Sequence, residues 1–328
     1  MTALAPTLQA FFTERLQQRR VSPHTVAAYR DGLRLLIGYV HDTTGKAPCH
    51  LDFDDLDAAC IGAFLDHLER HRHASIATRN ARLAAVHSLF AYAALHHPEH
   101  AASIARVLAI PPKRTERATV CFLTPPETQA LLASPNRSHW RGRRDYALLL
   151  LAAQTGLRAS ELTALRIQDL HLGTGPHVDA LGKGRKHRST PLTTGTVAVL
   201  QTWLAERSGN PSDPVFPGPR GEPLTRDALH HLVTRHAATA SSACPSMAAK
   251  RVTPHTLRHT AAMRLLESGT DTSVIALWLG HESPQTTQIY LHAHLAIKER
   301  ALARTAAPNS KPGRYKPPDH LLAFLDSL

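Results

Sequence analysis

The segment TPHTLRH, residues 253–259, decides how the second half of the chain is interpreted. Threonine is a favoured helix cap and proline is favoured at the first helical position, so Thr253 and Pro254 predict that a helix begins here. His255 and Arg258 are three positions apart and therefore share one face of that helix. An imidazole and a guanidinium on one face can together bind the oxygens of a phosphate.

A second phosphate-binding arginine is predicted in TGLRASEL, residues 155–162. Gly156 is expected to end the buried helix 145–154, because glycine accepts the left-handed backbone that closes a helix. This turn brings Arg158 to the start of the next helix, where its guanidinium can hold two phosphate oxygens at once, as an ammonium group cannot. Glu161 follows three residues later on the same helical face.

Two short strands, residues 178–181 and 188–192, are predicted to form a hairpin. Glycines flank Lys183 in the turn between them, and a lysine at a hairpin tip can supply a proton to a bound substrate. Lys186 lies in the same turn, so the local pattern leaves both lysines as candidates for that role. The turn lacks the G-x-G-x-x-G pattern, and nucleotide binding is therefore not predicted.

Two more candidate groups follow the helix 271–279, which ends at Gly280. His281 comes directly after this glycine, and Tyr290 follows nine residues later. The other five tyrosines lie in apolar stripes or in a tail rich in lysine and proline: Tyr29, Tyr39, Tyr92, Tyr146 and Tyr315. Tyr290 is therefore the candidate nucleophile by elimination. A phenol has a pKa near 10, so positive charge and hydrogen bonds must activate it.

The composition favours a polyanionic partner. Lys and Arg total 38 against 26 acidic residues, which gives a formal net charge of +12, and nucleic acid is the leading candidate for a protein so basic. The four cysteines are far apart without a C-x-x-C pair, which argues against a zinc site and a disulfide framework. No carboxylate cluster accompanies the motifs, so we expect a metal-independent reaction without a cofactor. No signal peptide or long apolar run is present, which predicts a cytoplasmic protein without a membrane partner.

The first third of the chain is predicted to be helical. Apolar residues recur at helical spacing through four segments between residues 7 and 97. Ser22 and Ser75 are placed to cap two of these helices, and Pro23 follows the first of them at a favoured position. A linker with two adjacent prolines and several basic residues comes next, at 108–119.

The motifs TGLRASEL, GKGRKHR, TPHTLRH, LGHES and QIYLHAH, in this order, resemble those of the tyrosine recombinases, also called the lambda-integrase family. This resemblance runs from about residue 123 to about residue 304. The segments SPHTVAAYRDGLRLLIGYV and SIATRNARLAAVHSLFAYAA resemble the core-binding domain of the same family. The final stretch, ALARTAAPNSKPGRYKPPDHLLAFL, is similar to the tails of recombinases carried by transposable elements.

The resemblance implies a fold that is mainly α with a small β-sheet. Residues 1–108 are expected to form a four-helix, SAM-like core-binding domain, and 109–121 a linker. Residues 122–305 are expected to form the mixed α+β catalytic domain. Residues 306–328 are expected to be a tail whose short apolar helix contacts a neighbouring protomer, with packing on its own protomer as the alternative.

The resemblance also assigns roles to residues. It implies a catalytic set of Arg158, Lys183, His255, Arg258, His281 and Tyr290, with Glu161 in a supporting, orienting role. The arginines hold the phosphate, and the lysine, chosen over Lys186 by its match to the family position, protonates the departing 5′-oxygen. The tyrosine attacks phosphorus to give a 3′-phosphotyrosine bond. Which histidine moves a proton stays open, with His255 as the candidate general base.

Double-stranded DNA carrying half-repeats is the implied partner, bound by a homotetramer, and accessory proteins are left open. Candidate DNA contacts outside the catalytic set are His24, Thr25, Arg30, Arg79, Arg82, Lys113, Arg114 and Arg185. The expected activity is site-specific recombination for integration, excision or transposition of a mobile element. Two alternatives remain: relaxation of DNA by a type IB topoisomerase-like reaction, and a catalytically inactive DNA-binding accessory protein.

Overall fold

The computed structural model describes residues 4–115, 120–182 and 187–280. Contacts divide the chain into two compact units, Met1–Ala118 and Thr119–Leu328. None of the helices in the described ranges is long and apolar enough to cross a membrane.

The first unit is helical. Its α-helices are α1 (Leu4–Ala10), α2 (Leu16–Gln18), α3 (Pro23–Thr44), α4 (Ala58–Arg70), α5 (Ile76–Ala93) and α6 (Ala101–Leu108). A π-helical segment, Phe11–Arg15, joins α1 to α2, so these form one continuous helical stretch. The predicted caps are confirmed, because the side chains of Ser22 and Ser75 accept hydrogen bonds from the backbone N–H groups of Thr25 and Thr78.

The core of this unit is built from the apolar stripes of α3, α4 and α5. Leu36, Phe64 and Phe90 are almost completely buried in it. The predicted helices are present, and α6 is an additional helix that the sequence analysis did not identify. Its Ile104 and Val107 are buried in the same core, although no side chain caps its first turn. A short helix without a cap carries little local signal, and packing against the core stabilises it.

The beginning of the expected linker is fixed to α5. Asn80 brackets Lys113 with two hydrogen bonds: its Nδ2 donates to the carbonyl oxygen of Lys113 at 2.8 Å, and its Oδ1 accepts from the backbone N–H of Lys113 at 3.1 Å. Arg79 donates to the carbonyl oxygen of Pro111 at 3.3 Å. Residues 111–113 are therefore held against α5 as part of the first unit.

The second unit combines helices with a small sheet. Its elements are α7 (Pro125–Ala133), α8 (Trp140–Thr155), α9 (Ala159–Ala164), β1 (Leu170–His171), β2 (His177–Leu181), β3 (His187–Pro191), α10 (Thr194–Arg207), α11 (Arg226–Ala243), α12 (Pro254–Glu267) and α13 (Thr272–Leu279). The strands form an antiparallel sheet in the order β1-β2-β3. The predicted fold class, mainly helical with a small sheet, is confirmed.

One face of the sheet is buried. Val178, Ala180 and Thr190 point into the core, while Asp179 and Ser189 lie on the other face. Helices α8 and α10 contribute apolar side chains to the same core as Val178 and Ala180, and the indole of Trp203 in α10 donates a hydrogen bond to the carbonyl oxygen of Val215 at 2.9 Å. The sheet therefore has one polar face, and its buried face anchors the hairpin formed by β2 and β3.

Two left-handed glycines end the helices that surround the candidate site. Gly156 closes α8 with φ 64°, and Gly280 closes α13 with φ 64°. A Cβ on Gly156 would lie only 2.7 Å from Cδ2 of Leu279, so the end of α13 packs directly against this turn. Both the backbone conformation and the space require glycine at position 156.

Candidate active site

The side chain of Arg158 is held by groups from two different parts of the unit. Its Nη1 donates to Oε1 of Glu161 at 2.9 Å, and its Nη2 donates to the carbonyl oxygen of Gly280 at 2.7 Å. The backbone N–H of Arg158 also donates to Oε2 of Glu161 at 2.7 Å, which fixes the start of α9. The side chain remains 30% exposed.

Arg258 is anchored to the turns that end α8 and α13, and the second of these turns also holds Arg158. The residue is buried, and its Nη1 donates to the carbonyl oxygen of Gly156 at 2.7 Å. Its Nη2 donates to the carbonyl oxygen of Leu279 at 2.7 Å. Carbonyl groups at the C-terminal ends of helices carry partial negative charge and have no partner inside their own helix. The end of α13 therefore holds both arginines, and the end of α8 holds Arg258 as well.

Glu161 is a buried carboxylate between two guanidinium groups. Besides Arg158, it binds Arg188 of β3, whose Nη1 and Nη2 donate to Oε1 at 2.8 Å and Oε2 at 2.6 Å. Burial raises the pKa of Glu161, but the hydrogen bonds and charge of Arg188, together with hydrogen bonds from the backbone and side chain of Arg158, outweigh it and hold the pKa below its ordinary value. Sequence analysis did not predict this role of Arg188. The sequence of β3 places a polar residue there, but it does not show that the side chain points at Glu161.

His255 lies in the first turn of α12, as predicted. Its pKa is lowered from the ordinary value by desolvation, and further by the positive charges of Arg258 and Arg158. The residue as a whole is exposed, and Arg258 and Arg158 place positive charge close to its ring. The imidazole is therefore neutral at neutral pH, and the ring of His259 contacts it edge to face at 4.3 Å between centroids.

An open depression lies beside His255. The residues that line it are Ala159, Thr225, Arg226, Asp227, His230, Thr253, Pro254 and His255. Helices α11 and α12 both begin at this depression, so the partial positive charge of their N-terminal ends adds to that of the arginines. Arg226 and His230 were not predicted as site residues, because no motif distinguishes them within α11.

Several predicted residues lie outside the described residues: Lys183, Arg185, His281 and Tyr290. The structure fixes the chain on both sides of the hairpin tip, since β2 ends at Leu181 and β3 begins at His187. It also fixes Gly280, the residue directly before His281, through its hydrogen bond to Arg158.

The candidate DNA contacts of the first unit differ in their exposure. The exposed side chains are His24, Arg30, Lys113 and Arg114. Arg30 and Lys113 form ion pairs with Asp31 and Glu69, at 3.1 Å and 2.9 Å. Thr25 is half-buried, and its hydroxyl group lies 2.9 Å from that of Ser22 in the cap of α3.

Arg79 and Arg82 have structural partners. The side chain of Arg79 is only 7% exposed and lies 3.4 Å from Glu69, so contact with a phosphate would require it to leave that carboxylate. Arg82 is half-buried, and its Nη1 donates to the carbonyl oxygen of Ala28 at 3.0 Å. Both arginines thus connect α5 to neighbouring segments of the first unit.

One group of potential metal ligands occurs among the described residues, on the polar face of the sheet. It consists of His171, His177 and Asp179. Nε2 of His171 is 3.1 Å from Oδ2 of Asp179, and Ser189 donates to Oδ1 of Asp179 at 2.6 Å. These polar groups therefore already pair with one another.

Comparison with known proteins identifies the family. The model of the phage integrase family matches residues 121–296, and that of the phage integrase N-terminal SAM-like domain matches residues 8–97.

A protein of Sinorhizobium fredii named as the integrase/recombinase y4rC is 53% identical over 327 residues, covering 99% of this chain and 98% of its own length. Tyrosine recombinase XerC of Pelobacter propionicus is 33% identical over 299 residues, covering 90% of this chain and 93% of its own. The solved structure of XerH recombinase in a post-cleavage complex with palindromic difH has a TM-score of 0.67 at 23% identity, covering 87% of this chain and 81% of its own. The chain therefore belongs to the phage integrase family of tyrosine recombinases.

Proposed function

We propose that this protein is a site-specific DNA recombinase that cuts and rejoins strands through a covalent 3′-phosphotyrosine intermediate. The observation that carries this proposal is the joint anchoring of Arg158 and Arg258. These arginines come from distant motifs, yet both donate to carbonyl oxygens at the end of α13, and Arg258 also donates to the carbonyl oxygen of Gly156 at the end of α8. They lie directly beside Gly280, the residue before His281.

The two guanidinium groups would bind the nonbridging oxygens of the scissile phosphate. Arg158 is 30% exposed, so N–H groups beyond its two bonds are accessible to a phosphate from solvent. Negative charge accumulates on these oxygens as phosphorus is attacked, and donors already fixed in place stabilise it without reorganisation. Removal of one comparable donor costs about 3–4 kcal/mol of transition-state stabilisation.

Proton transfer would accompany each bond change. Tyr290 attacks phosphorus through its phenolic oxygen, and the neutral imidazole of His255 is able to take the phenolic proton. The 5′-oxygen leaves with a proton from Lys183, while His281 donates a hydrogen bond to the phosphate. In the second half of the reaction, a 5′-hydroxyl of another duplex attacks the phosphotyrosine and releases Tyr290. The phosphodiester is restored without ATP, because the covalent bond conserves its energy.

The substrate would be double-stranded DNA with half-repeats, bound by four protomers that bring two duplexes together. A net charge of +12 favours binding to such a polyanion. We further propose that the reaction integrates, excises or transposes a mobile element in the cytoplasm. The integrase/recombinase name of the relative at 53% identity supports this role. The exposed side chains of His24, Arg30, Lys113 and Arg114 remain proposed DNA contacts.

A plasmid assay tests this function. Two copies of the DNA that flanks the gene would be placed on one supercoiled plasmid and incubated with the protein in EDTA. The proposal predicts a deletion or inversion product with wild type and none with Arg258→Lys, while Arg264→Gln, an exposed arginine on the same helix, retains the product. Relaxed plasmid without any recombinant product would contradict the proposal and indicate a topoisomerase.

A further inference from the structure

We propose that Arg188 is a positioning residue that fixes the base of the β2–β3 hairpin against Glu161 and the end of α13. The inference rests on the proposed function and gives a role to Arg188, the last residue of the motif GKGRKHR, to which the sequence analysis assigned none. It concerns how the hairpin that carries Lys183 is held close to the phosphate-binding arginines.

The contact between Arg188 and Glu161 has the geometry of a strong, specific pair. Two parallel hydrogen bonds, of 2.8 Å and 2.6 Å, join the guanidinium to both carboxylate oxygens. The side chains of Arg188 and Glu161 are only 11% and 3% exposed, so water does not screen the pair strongly. Glu161 binds Arg158 with the same two oxygens, and it therefore connects the strand to a phosphate-binding arginine.

Arg188 also lies against the backbone at the end of α13. A Cβ added to Gly280 would be 3.0 Å from Nη1 and 3.2 Å from Cδ of Arg188. The carbonyl oxygens of Leu279 and Gly280 accept hydrogen bonds from Arg258 and Arg158. The guanidinium of Arg188 is thus packed on the segment that anchors both arginines and leads into His281.

The hairpin connects this contact to Lys183. Arg188 pairs with Ala180 across the sheet, and His187 pairs with Leu181 at the edge of the turn. In the sequence, residues 182–186 connect Leu181 to His187, so Lys183 is two positions from this last pair of the ladder. Without the Arg188 contact, the base of the hairpin would no longer be fixed against Glu161. The position of Lys183 relative to the phosphate-binding arginines would then be less well defined.

Loss of Arg188 should therefore slow cleavage more than it weakens DNA binding. We expect Arg188→Gln to cleave a nicked duplex about 10- to 100-fold more slowly, since small misplacements of catalytic groups have effects of this size. The pH profile should change as well. Glu161 would lose the hydrogen bonds that lower its pKa most, so the acid limb of activity should move to higher pH.

The experiment measures single-turnover formation of the covalent adduct, DNA affinity and melting temperature for wild type, Arg188→Gln, Arg188→Lys and Arg264→Gln. The expected order of cleavage rates is wild type, then Arg188→Lys, then Arg188→Gln, with DNA affinity within about threefold throughout and Arg264→Gln like wild type. Arg188→Lys keeps a charge and one hydrogen bond, so it provides the test if the glutamine variant does not fold.

A double-mutant cycle shows whether Arg188 acts through Glu161. Glu161→Gln should slow cleavage strongly in the wild-type background but only slightly in the Arg188→Gln background. Independent, additive effects, or cleavage within about twofold of wild type in Arg188→Gln, would overturn the inference while leaving the recombinase function intact. An absence of adduct with wild type itself would overturn the proposed function, and this inference together with it.

Discussion

At the scale of single residues, backbone carbonyl groups position the arginines of the site. Arg258 binds the carbonyl oxygens of Gly156 and Leu279, and Arg158 binds that of Gly280. These carbonyls are available because each helix ends in a left-handed glycine that turns the chain away. The position of the guanidinium groups therefore depends on residues that have no chemical role themselves.

Gly156→Ala tests this dependence. The residue has φ 64°, and a new Cβ would lie 2.7 Å from Leu279 Cδ2, so we expect a loss of about 1–3 kcal/mol in the free energy of unfolding. Adduct formation should fall as well, because the shifted carbonyl holds Arg258. Urea denaturation measures the first effect. Gly195→Ala is the matched control, since nothing lies within 4 Å of its Cβ position. Equal stability of the two variants would contradict the account.

At the scale of elements, the sequence predicted the features that depend on contacts between residues close together in the chain. Ser22, Ser75 and Thr253 indicated where helices begin, because a cap is a contact between residues a few positions apart. The helix α6 and the role of Arg188 were not predicted. The first is stabilised by packing, and the second depends on which distant carboxylate β3 faces. The positions of Lys183 and Tyr290 stay predictions.

The attachment of the linker to α5 yields a prediction at the same scale. Asn80 holds Lys113 with two hydrogen bonds, so Asn80→Ala should release residues 111–114 from the first unit. Trypsin should then cleave after Lys113 or Arg114 several-fold faster than in wild type, because proteases require a locally open backbone. Asn210→Ala, in an exposed turn of the second unit, is the control. Unchanged cleavage would show that Asn80 does not hold the linker.

At the scale of the whole molecule, buried carboxylates couple stability of the second unit to pH. Burial raises the pKa of Glu127, but hydrogen bonds from Lys250, Ser246 and the backbone of Thr124 lower it from 4.5 to about 2. The ionised carboxylate of Glu127 therefore stabilises the folded state. This contribution is complete above about pH 4.5 and is lost as the pH falls towards 2. Asp145 and Glu161 also have lowered pKa values and act in the same direction.

Lys250→Met tests this coupling. The ammonium group of Lys250 donates to Glu127 at 2.6 Å, and its loss would leave a buried carboxylate with fewer partners. We expect the free energy of unfolding at pH 7 to fall by about 1–3 kcal/mol. The pKa of Glu127 should rise, so stability should begin to decline at a higher pH than in wild type. Denaturation curves between pH 3 and 7 measure both effects. Parallel pH profiles for the two proteins would contradict the assignment.

The central claim is that Tyr290 attacks DNA in a site built around Arg158 and Arg258. The most direct measurement uses nicked duplexes from the DNA flanking the gene, with EDTA present, and detects a covalent protein–DNA adduct on a denaturing gel. The account predicts an adduct with wild type and Tyr315→Phe, and none with Tyr290→Phe. An adduct that persists in Tyr290→Phe, or no adduct from wild type on DNA that it binds, would contradict it.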